Sequence, residues 1–261
     1  MMYRQRRHSK QRRFAPKRKP SPVFKFKQFT VRQDRCGMKV TTDSCLFGAV
    51  TAEFTQKHQP QSILDIGTGT GLLSLMLAQT TTCPIDAVEI DADAYLQADE
   101  NFATSTWAMR MKAHHSSIQD FPDEPDGRTY DLIISNPPFF KDHMQSRDRS
   151  RARAMHNDDL PSRDLALSIK RLISPTGIAF VMLPRYEMYS FSKEMQELGF
   201  YEHTETCIFN QPGKGVFRSI RAFSLVEPIL RHKENLVVRD QESNYTWRFK
   251  ALLEDYYLKI Q

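Results

Sequence analysis

Three groups of side chains in this sequence have types and spacings that could do chemistry. The first is Asp65-Ile-Gly67-Thr-Gly69-Thr-Gly71, which ends the apolar run Ser62-Ile-Leu-Asp-Ile66 and leads into Leu72-Leu-Ser-Leu-Met-Leu. Glycines between a strand and a helix let the backbone come close to a ligand at the strand's carboxyl end. Their spacing restricts what that ligand is. A dinucleotide loop needs G-x-G-x-x-G, and here the third place falls on Leu72; a phosphate loop needs Lys and then Ser or Thr after its last glycine, and none follows Gly71. Lys214, in Pro212-Gly-Lys-Gly215, does not repair this, because no Ser or Thr comes next. The second feature is Glu89, which closes the run Ile85-Asp-Ala-Val-Glu89 and lies 18 residues beyond Gly71. A carboxylate there can accept both hydroxyls of a ribose. The third is Asn136-Pro137-Pro138-Phe139, directly after the buried run Leu132-Ile-Ile-Ser135 and therefore at the lip of the same cleft.

The chemistry of that third group suits a planar nitrogen. An exocyclic amine on a heteroaromatic ring is a poor nucleophile, because its lone pair is delocalised. The Asn136 side-chain carbonyl and the Pro137 backbone carbonyl can accept from such an amine and favour a tetrahedral nitrogen. Proline fixes its own backbone and restricts the residue before it, so both acceptors are held in place. Phe139 offers a flat face for a flipped base. Catalysis of this kind is positioning and preorganised polarity, with neither metal nor covalent intermediate.

Asp-x-Gly-x-Gly-x-Gly resembles motif I of the class I S-adenosylmethionine-dependent methyltransferases. The resemblance implies that Asp65, Gly67, Gly69 and Gly71 hold the methionine part of S-adenosylmethionine and that Glu89 holds its ribose. Ile118 would pack beside the adenine ring, and Asn136 would border both cofactor and target. Many members carry an acid where this chain has Ser117. The Asn-Pro-Pro-Phe turn is similar to that of enzymes methylating adenine N6, cytosine N4, or glutamine N5 of release factors; the turn alone leaves base and glutamine open.

The opening segment is more specific. Phe26-Lys-Gln-Phe29, Asp34-Arg35-Cys-Gly-Met-Lys39-Val-Thr-Thr42-Asp43 and Leu46-Phe-Gly-Ala49 resemble the start of the bacterial tRNA(1)(Val) adenine N6-methyltransferases, which modify adenosine 37 beside the anticodon. Thr41 stands where that family usually has glycine. The likeness continues through Val88-Glu-Ile-Asp91, Ala152-Arg-Ala-Met-His156, Tyr245-Thr-Trp-Arg-Phe249 and Asp255-Tyr-Tyr-Leu258, covering most of residues 24–261. It implies that Lys39, Thr42 and Asp43, within a covering segment at 23–60, close over the cofactor. Phe140, Arg147, Arg149, Arg151 and Arg153 follow the catalytic turn and would contact RNA, the arginines clamping phosphates around a splayed-out base.

The elements that must carry these groups follow from periodicity. Strands are expected at 62–66, 85–89, about 113–117, 132–135 and 177–183, alternating with helices at 43–57, 71–79, 92–104, 161–173 and 188–198. Phe24, Phe26 and Phe29 form an extended segment before them. Asp43 or Ser44 would cap the first helix. Runs at 204–209 and 217–226 flank Gln211-Pro-Gly-Lys-Gly215 as an antiparallel hairpin. Alternation of this kind predicts an α/β fold with a doubly wound, mainly parallel sheet; the resemblance to class I methyltransferases implies that it is their Rossmann-like, seven-stranded sheet. Residues 141–159 read as a long functional loop.

Composition narrows the partners. The 261 residues carry 37 Lys or Arg against 31 Asp or Glu, a net charge of +6. Nine of those bases, and no acid, lie in residues 1–22, leaving 28 against 31 in residues 23–261, a balance of −3. The expectation is a disordered basic arm for RNA phosphates on a mildly acidic methyltransferase domain at 23–261. No apolar run approaches ~18 residues, so no membrane span or secretory signal is expected. Cys36, Cys45, Cys83 and Cys207 form no C-x-x-C pair, and His114 and His115 have no partner at ligand spacing, so no metal is expected and a reducing cytoplasm is. The leading reading is methyl transfer to adenine N6 of tRNA(1)(Val) by a monomer. Methylation of a release-factor glutamine and a catalytically silent RNA-binding protein are the alternatives; the basic arm, the arginine loop and the lack of a helical substrate domain before motif I weigh against the former.

Overall fold

The structure, a computed structural model, describes residues 21–122, 129–138 and 160–260. Phe139, Phe140, the loop at 141–159 with its four arginines, and the arm as far as residue 20 lie outside the described residues.

The chain opens with a small antiparallel hairpin, β1 (Val23–Lys25) and β2 (Thr30–Arg32). The alternating phenylalanines that mark it face inward: Phe26 and Phe29 are buried and stacked, with ring centroids 4.5 Å apart. The first helix, α1 (Thr42–His58), is capped by Thr41 rather than by Asp43 or Ser44; its side chain accepts from the Ser44 N–H at 3.3 Å. Thr41 sits in ordinary extended backbone (φ −123°, ψ 157°), so a residue other than glycine costs no strain there.

Five parallel strands form the heart of the molecule: β3 (Ile63–Ile66), β4 (Ile85–Glu89), β5 (Met111–His115), β6 (Tyr130–Ser135) and β7 (Ile173–Leu183). Helices α2 (Leu72–Ala78), α3 (Ala92–Ala103), α4 (Ser162–Leu172) and α5 (Arg185–Glu197) join or follow them. The expected hairpin is present as β8 (Tyr201–Phe209) and β9 (Arg218–Ser224). A further strand, β10 (His232–Val237), runs parallel to β8, and α6 (Trp247–Leu253) follows. The sheet order is β10-β8-β9-β7-β6-β3-β4-β5, eight strands where seven are expected from the sequence. The eighth escapes a reading by hydrophobic alternation because only Leu236 of its six residues is buried; an edge strand needs no second apolar face.

Side chains alternate between two layers, as a sheet covered on both faces requires. Ile63, Ile85, Leu132 and Phe180 pack with α1, α2 and α6, whereas Leu64, Val88, Ile133 and Val181 pack with α4 and α5. The chain builds outward from β3 to β5 and then returns to β6 on the other side of β3. That reversal opens a crevice at the carboxyl ends of β3 and β6. Among the described residues no helix is long and apolar enough to cross a membrane.

Candidate active site

β3 ends in Asp65 and Ile66, and the chain then turns through three glycines with positive φ, at 70° (Gly67), 57° (Gly69) and 79° (Gly71). Asp65 is fully buried beneath this turn. Its Oδ2 accepts from the hydroxyls of Thr68 and Ser74, both at 2.7 Å, while its Oδ1 is buried without a partner. Burial pushes the carboxyl up to about 6 despite those two hydroxyls. Asp65 thus ties the loop to the first turn of α2 instead of lining the cleft. Gly71 also stands behind the cleft: a Cβ there would come within 2.5 Å of the Phe102 ring, so its glycine serves the contact between α2 and α3.

A cavity of about 360 Å³ lies above the strand ends, lined by Gly67 and Gly69 from the loop, Glu89 from β4, Ile118 and Ser117 after β5, and Asn136 and Pro137 after β6. The Glu89 carboxylate braces it from below. Its Oε2 accepts from the Gly69 N–H at 2.8 Å and its Oε1 from the Asp91 N–H at 3.0 Å. Each oxygen keeps acceptor capacity beyond that one bond. Ser117 donates its hydroxyl proton to Asp120 at 2.7 Å and accepts from the Asp120 N–H at 3.1 Å, which leaves one lone pair on a side chain that lines the cavity. His114 and His115, by contrast, are absorbed by the scaffold: His114 pairs with Asp86 at 2.7 Å and His115 stacks on Tyr95.

The opposite wall is where sequence reasoning and structure differ in detail. Cys36, Gly37 and Met38 line the cavity, and Lys39 does not. The Lys39 ammonium donates to the backbone carbonyls of Gln33 and Cys36, so it staples the wall from behind. Thr42 and Asp43 line a separate cavity of about 310 Å³, where Asp43 pairs with Arg218 at 3.0 Å. The first turn of α1 still reaches the site, through a residue that no motif singled out: Asn136 donates its amide N–H to Ser44 Oγ at 3.1 Å. Ser135 donates to the Ile66 carbonyl at 3.0 Å, locking the end of β6 to the end of β3 and so placing Asn136 beside Gly67.

One cavity therefore holds a glycine turn, a carboxylate and a backbone-fixed asparagine. The chain itself has relatives in sequence and in fold. The methyltransferase small domain family matches residues 48–156. Across solved structures the fold is similar to a predicted O-methyltransferase of Agrobacterium tumefaciens (TM-score 0.62, 13% identity, 81% of this chain and 95% of that one). It is also similar to the ribosomal protein L11 methylase of Lactobacillus delbrueckii (TM-score 0.51, 14% identity, 74% and 83%). Among curated proteins, tRNA1(Val) (adenine(37)-N6)-methyltransferases match nearly end to end. That of Flavobacterium johnsoniae is 39% identical over 91% of this chain and 100% of its own length. Those of Parabacteroides distasonis (38%, 92% and 99%) and Trichodesmium erythraeum (39%, 90% and 98%) are similar to the same extent. At this identity and coverage, the chain belongs to the tRNA1(Val) (adenine(37)-N6)-methyltransferase family.

Proposed function

We propose that this chain methylates N6 of adenine 37 in tRNA1(Val), using S-adenosylmethionine, in the cytoplasm. The observation that carries the reading is the sharing of one 360 Å³ cavity by the Gly67–Gly69 turn, Glu89 and the Asn136-Pro137 turn. The residues fit the cofactor. Gly67 and Gly69 leave room for its methionine part, Glu89 accepts from its ribose hydroxyls, and Ile118 packs on its adenine. Ser117, polarised by donation to Asp120, accepts from the adenine amine in place of the acid found in many relatives of the fold. Bound there, the cofactor supplies an electrophilic methyl group on a sulfonium.

The chain's own work is to prepare the nucleophile. Asn136 Oδ1 and the Pro137 carbonyl accept from the target amine, drawing its lone pair out of the ring and toward the methyl group. A cofactor bound there would give its methyl group to that nitrogen and keep the S–CH₃ electron pair on sulfur, and the cationic nitrogen would lose its proton to water. Phe139 stacks on the base. Arg147, Arg149, Arg151 and Arg153 follow it and grip the backbone of the anticodon loop.

The described surface offers a track for the rest of that RNA. A groove lies over the sheet face formed by β8, β9 and β10 (Glu205, Ser219, Arg221, Lys233), bounded by Arg185, Tyr186 and Tyr189 of α5. That groove, about 800 Å³, is lined by Arg185, Tyr186, Tyr189 and Lys214, cations interleaved with aromatic faces on which RNA bases stack. Burial raises the one carboxyl in it, Glu205, but bonds from Lys233 and Arg221 override this and hold it at about 2. Its charge is therefore already balanced.

The deciding experiment mixes the purified chain, labelled S-adenosylmethionine and unmodified valine tRNA, with a release factor as competing acceptor. Label on N6 of adenine 37 is expected. Label on the protein with none on RNA would overturn the reading.

A further inference from the structure

Thr41, Ser44 and Asn136 form a row of three side chains running from the cap of α1 to the turn after β6. Thr41 Oγ1 lies 2.9 Å from Ser44 Oγ, and Ser44 Oγ lies 3.1 Å from Asn136 Nδ2. Ser44 is buried, whereas Thr41 faces solvent.

The row matters because an amide has two ends of opposite sign. Only the Asn136 oxygen can accept from a target amine; with the amide turned over, N–H would meet N–H. A serine hydroxyl by itself does not choose, since it can accept from Nδ2 or donate to Oδ1 equally well. What chooses is the destination of the one proton on Ser44. Thr41 Oγ1, already accepting from the Ser44 N–H, stands within bonding distance, and its own proton can go to water. Once the Ser44 proton is committed to Thr41, Ser44 offers Asn136 nothing but lone pairs. Only the amide nitrogen can then face it.

We infer that Thr41 and Ser44 are positioning residues that set the polarity of the Asn136 amide: Thr41 takes the Ser44 proton, Ser44 accepts from Asn136 Nδ2, and Asn136 Oδ1 is held toward the substrate amine. This rests on Asn136 being the acceptor for that amine. Neither hydroxyl touches substrate. Their effect belongs in kcat, with binding of cofactor and RNA untouched.

The test measures kcat and KM on valine tRNA, cofactor affinity by calorimetry, and melting temperature, for the full chain and for Ser44→Ala, Thr41→Val, Thr41→Asp and the Thr41→Val/Ser44→Ala pair. Ser44→Ala should lower kcat by about tenfold or more, as loss of a supporting hydrogen bond to a reacting group does, with both binding constants within about twofold. Thr41→Val should lower kcat at least as far, because Ser44 is then free to donate to Oδ1 and hold the amide reversed. Thr41→Asp keeps both a helix cap and an acceptor for the Ser44 proton, and should keep kcat. The pair should be no slower than Thr41→Val alone; a hydroxyl that merely capped the helix would add its loss to the other. A Ser44→Ala enzyme with wild-type kcat, or additive losses in the pair, overturns the inference while the functional reading stands. A wild-type chain that puts no methyl on RNA removes the functional reading instead.

Discussion

On the proposed function, replacing Asn136 with alanine removes one of the two carbonyls proposed to accept from the target amine and leaves Gly67, Gly69 and Glu89 as they are. Methyl transfer should fall below detection while cofactor affinity, read by calorimetry, stays within about tenfold of wild type. Asp65 makes a different prediction, one about pH. Its folded carboxyl titrates near 6, above the value near 4 of an exposed aspartate, so between those values the folded form holds a proton that the unfolded form has lost. Its contribution is present at low pH and is lost as pH rises through about 6. Asp65→Asn should therefore remove on the order of 2–3 kcal/mol of pH-dependent loss, seen as a smaller difference in urea stability between pH 4 and pH 7. Asn136 was legible as the first residue of the Asn-Pro-Pro-Phe turn after an apolar strand, whereas Asp65, expected to hold the cofactor, lies beneath its loop and bonds Thr68 and Ser74. Ser44 was not legible. It meets Asn136 across 92 residues, and a serine in the first turn of a helix carries no mark of what lies opposite it.

The loop between β3 and α2 shows how much an element depends on one position. Gly71 has a φ of 79°, and a methyl group there would strike the Phe102 ring of α3. Gly71→Ala combines left-handed strain with a clash in a packed layer, and should lower stability by about 2–4 kcal/mol in a denaturant titration. Gly67→Ala meets open space and carries the strain alone, so it should cost less. The strongly patterned elements, β3, β4, α3 and α4, were readable because one layer or face of each is continuously apolar. Those that escaped have another basis. β10 is held by its ladder to β8 and by the Glu234–Arg248 pair at 2.6 Å. α6 is seven residues long and owes its position to the Thr246 cap and to Phe249 stacked on Tyr245 at 4.2 Å. The cap of α1 is Thr41, the last residue in extended backbone, while Asp43 already lies in the first helical turn and pairs with Arg218.

For the molecule as a whole, the division of charge is the feature that the sequence states most directly. The described body is anchored from Ser21 and Pro22 onward, whose carbonyls accept from Gln33. Removing residues 1–20, and no more, should therefore leave the melting temperature unchanged. It should weaken tRNA binding and flatten the dependence of log affinity on log salt, as fewer counterions are released. An unchanged slope would make the arm a bystander. The closing of the chain on itself could not be read from any local pattern. Phe26 forms a bridge with Tyr257, and the Lys27 N–H donates to the Tyr256 carbonyl at 2.8 Å. The hairpin that leads into the Cys36–Met38 wall is thus held from two sides, by residues 256–257 and by Gln97 and Asn101 of α3. Synthesis gives this a consequence in time. The clamp from α3, in which Asn101 and Gln97 accept from the Arg32 and Arg35 N–H groups, can form once α3 has been made, whereas the second clamp waits for Tyr256 and Tyr257. Chains stalled between the two points should hold the wall by α3 alone, and should bind the cofactor more weakly than chains that have passed residue 257.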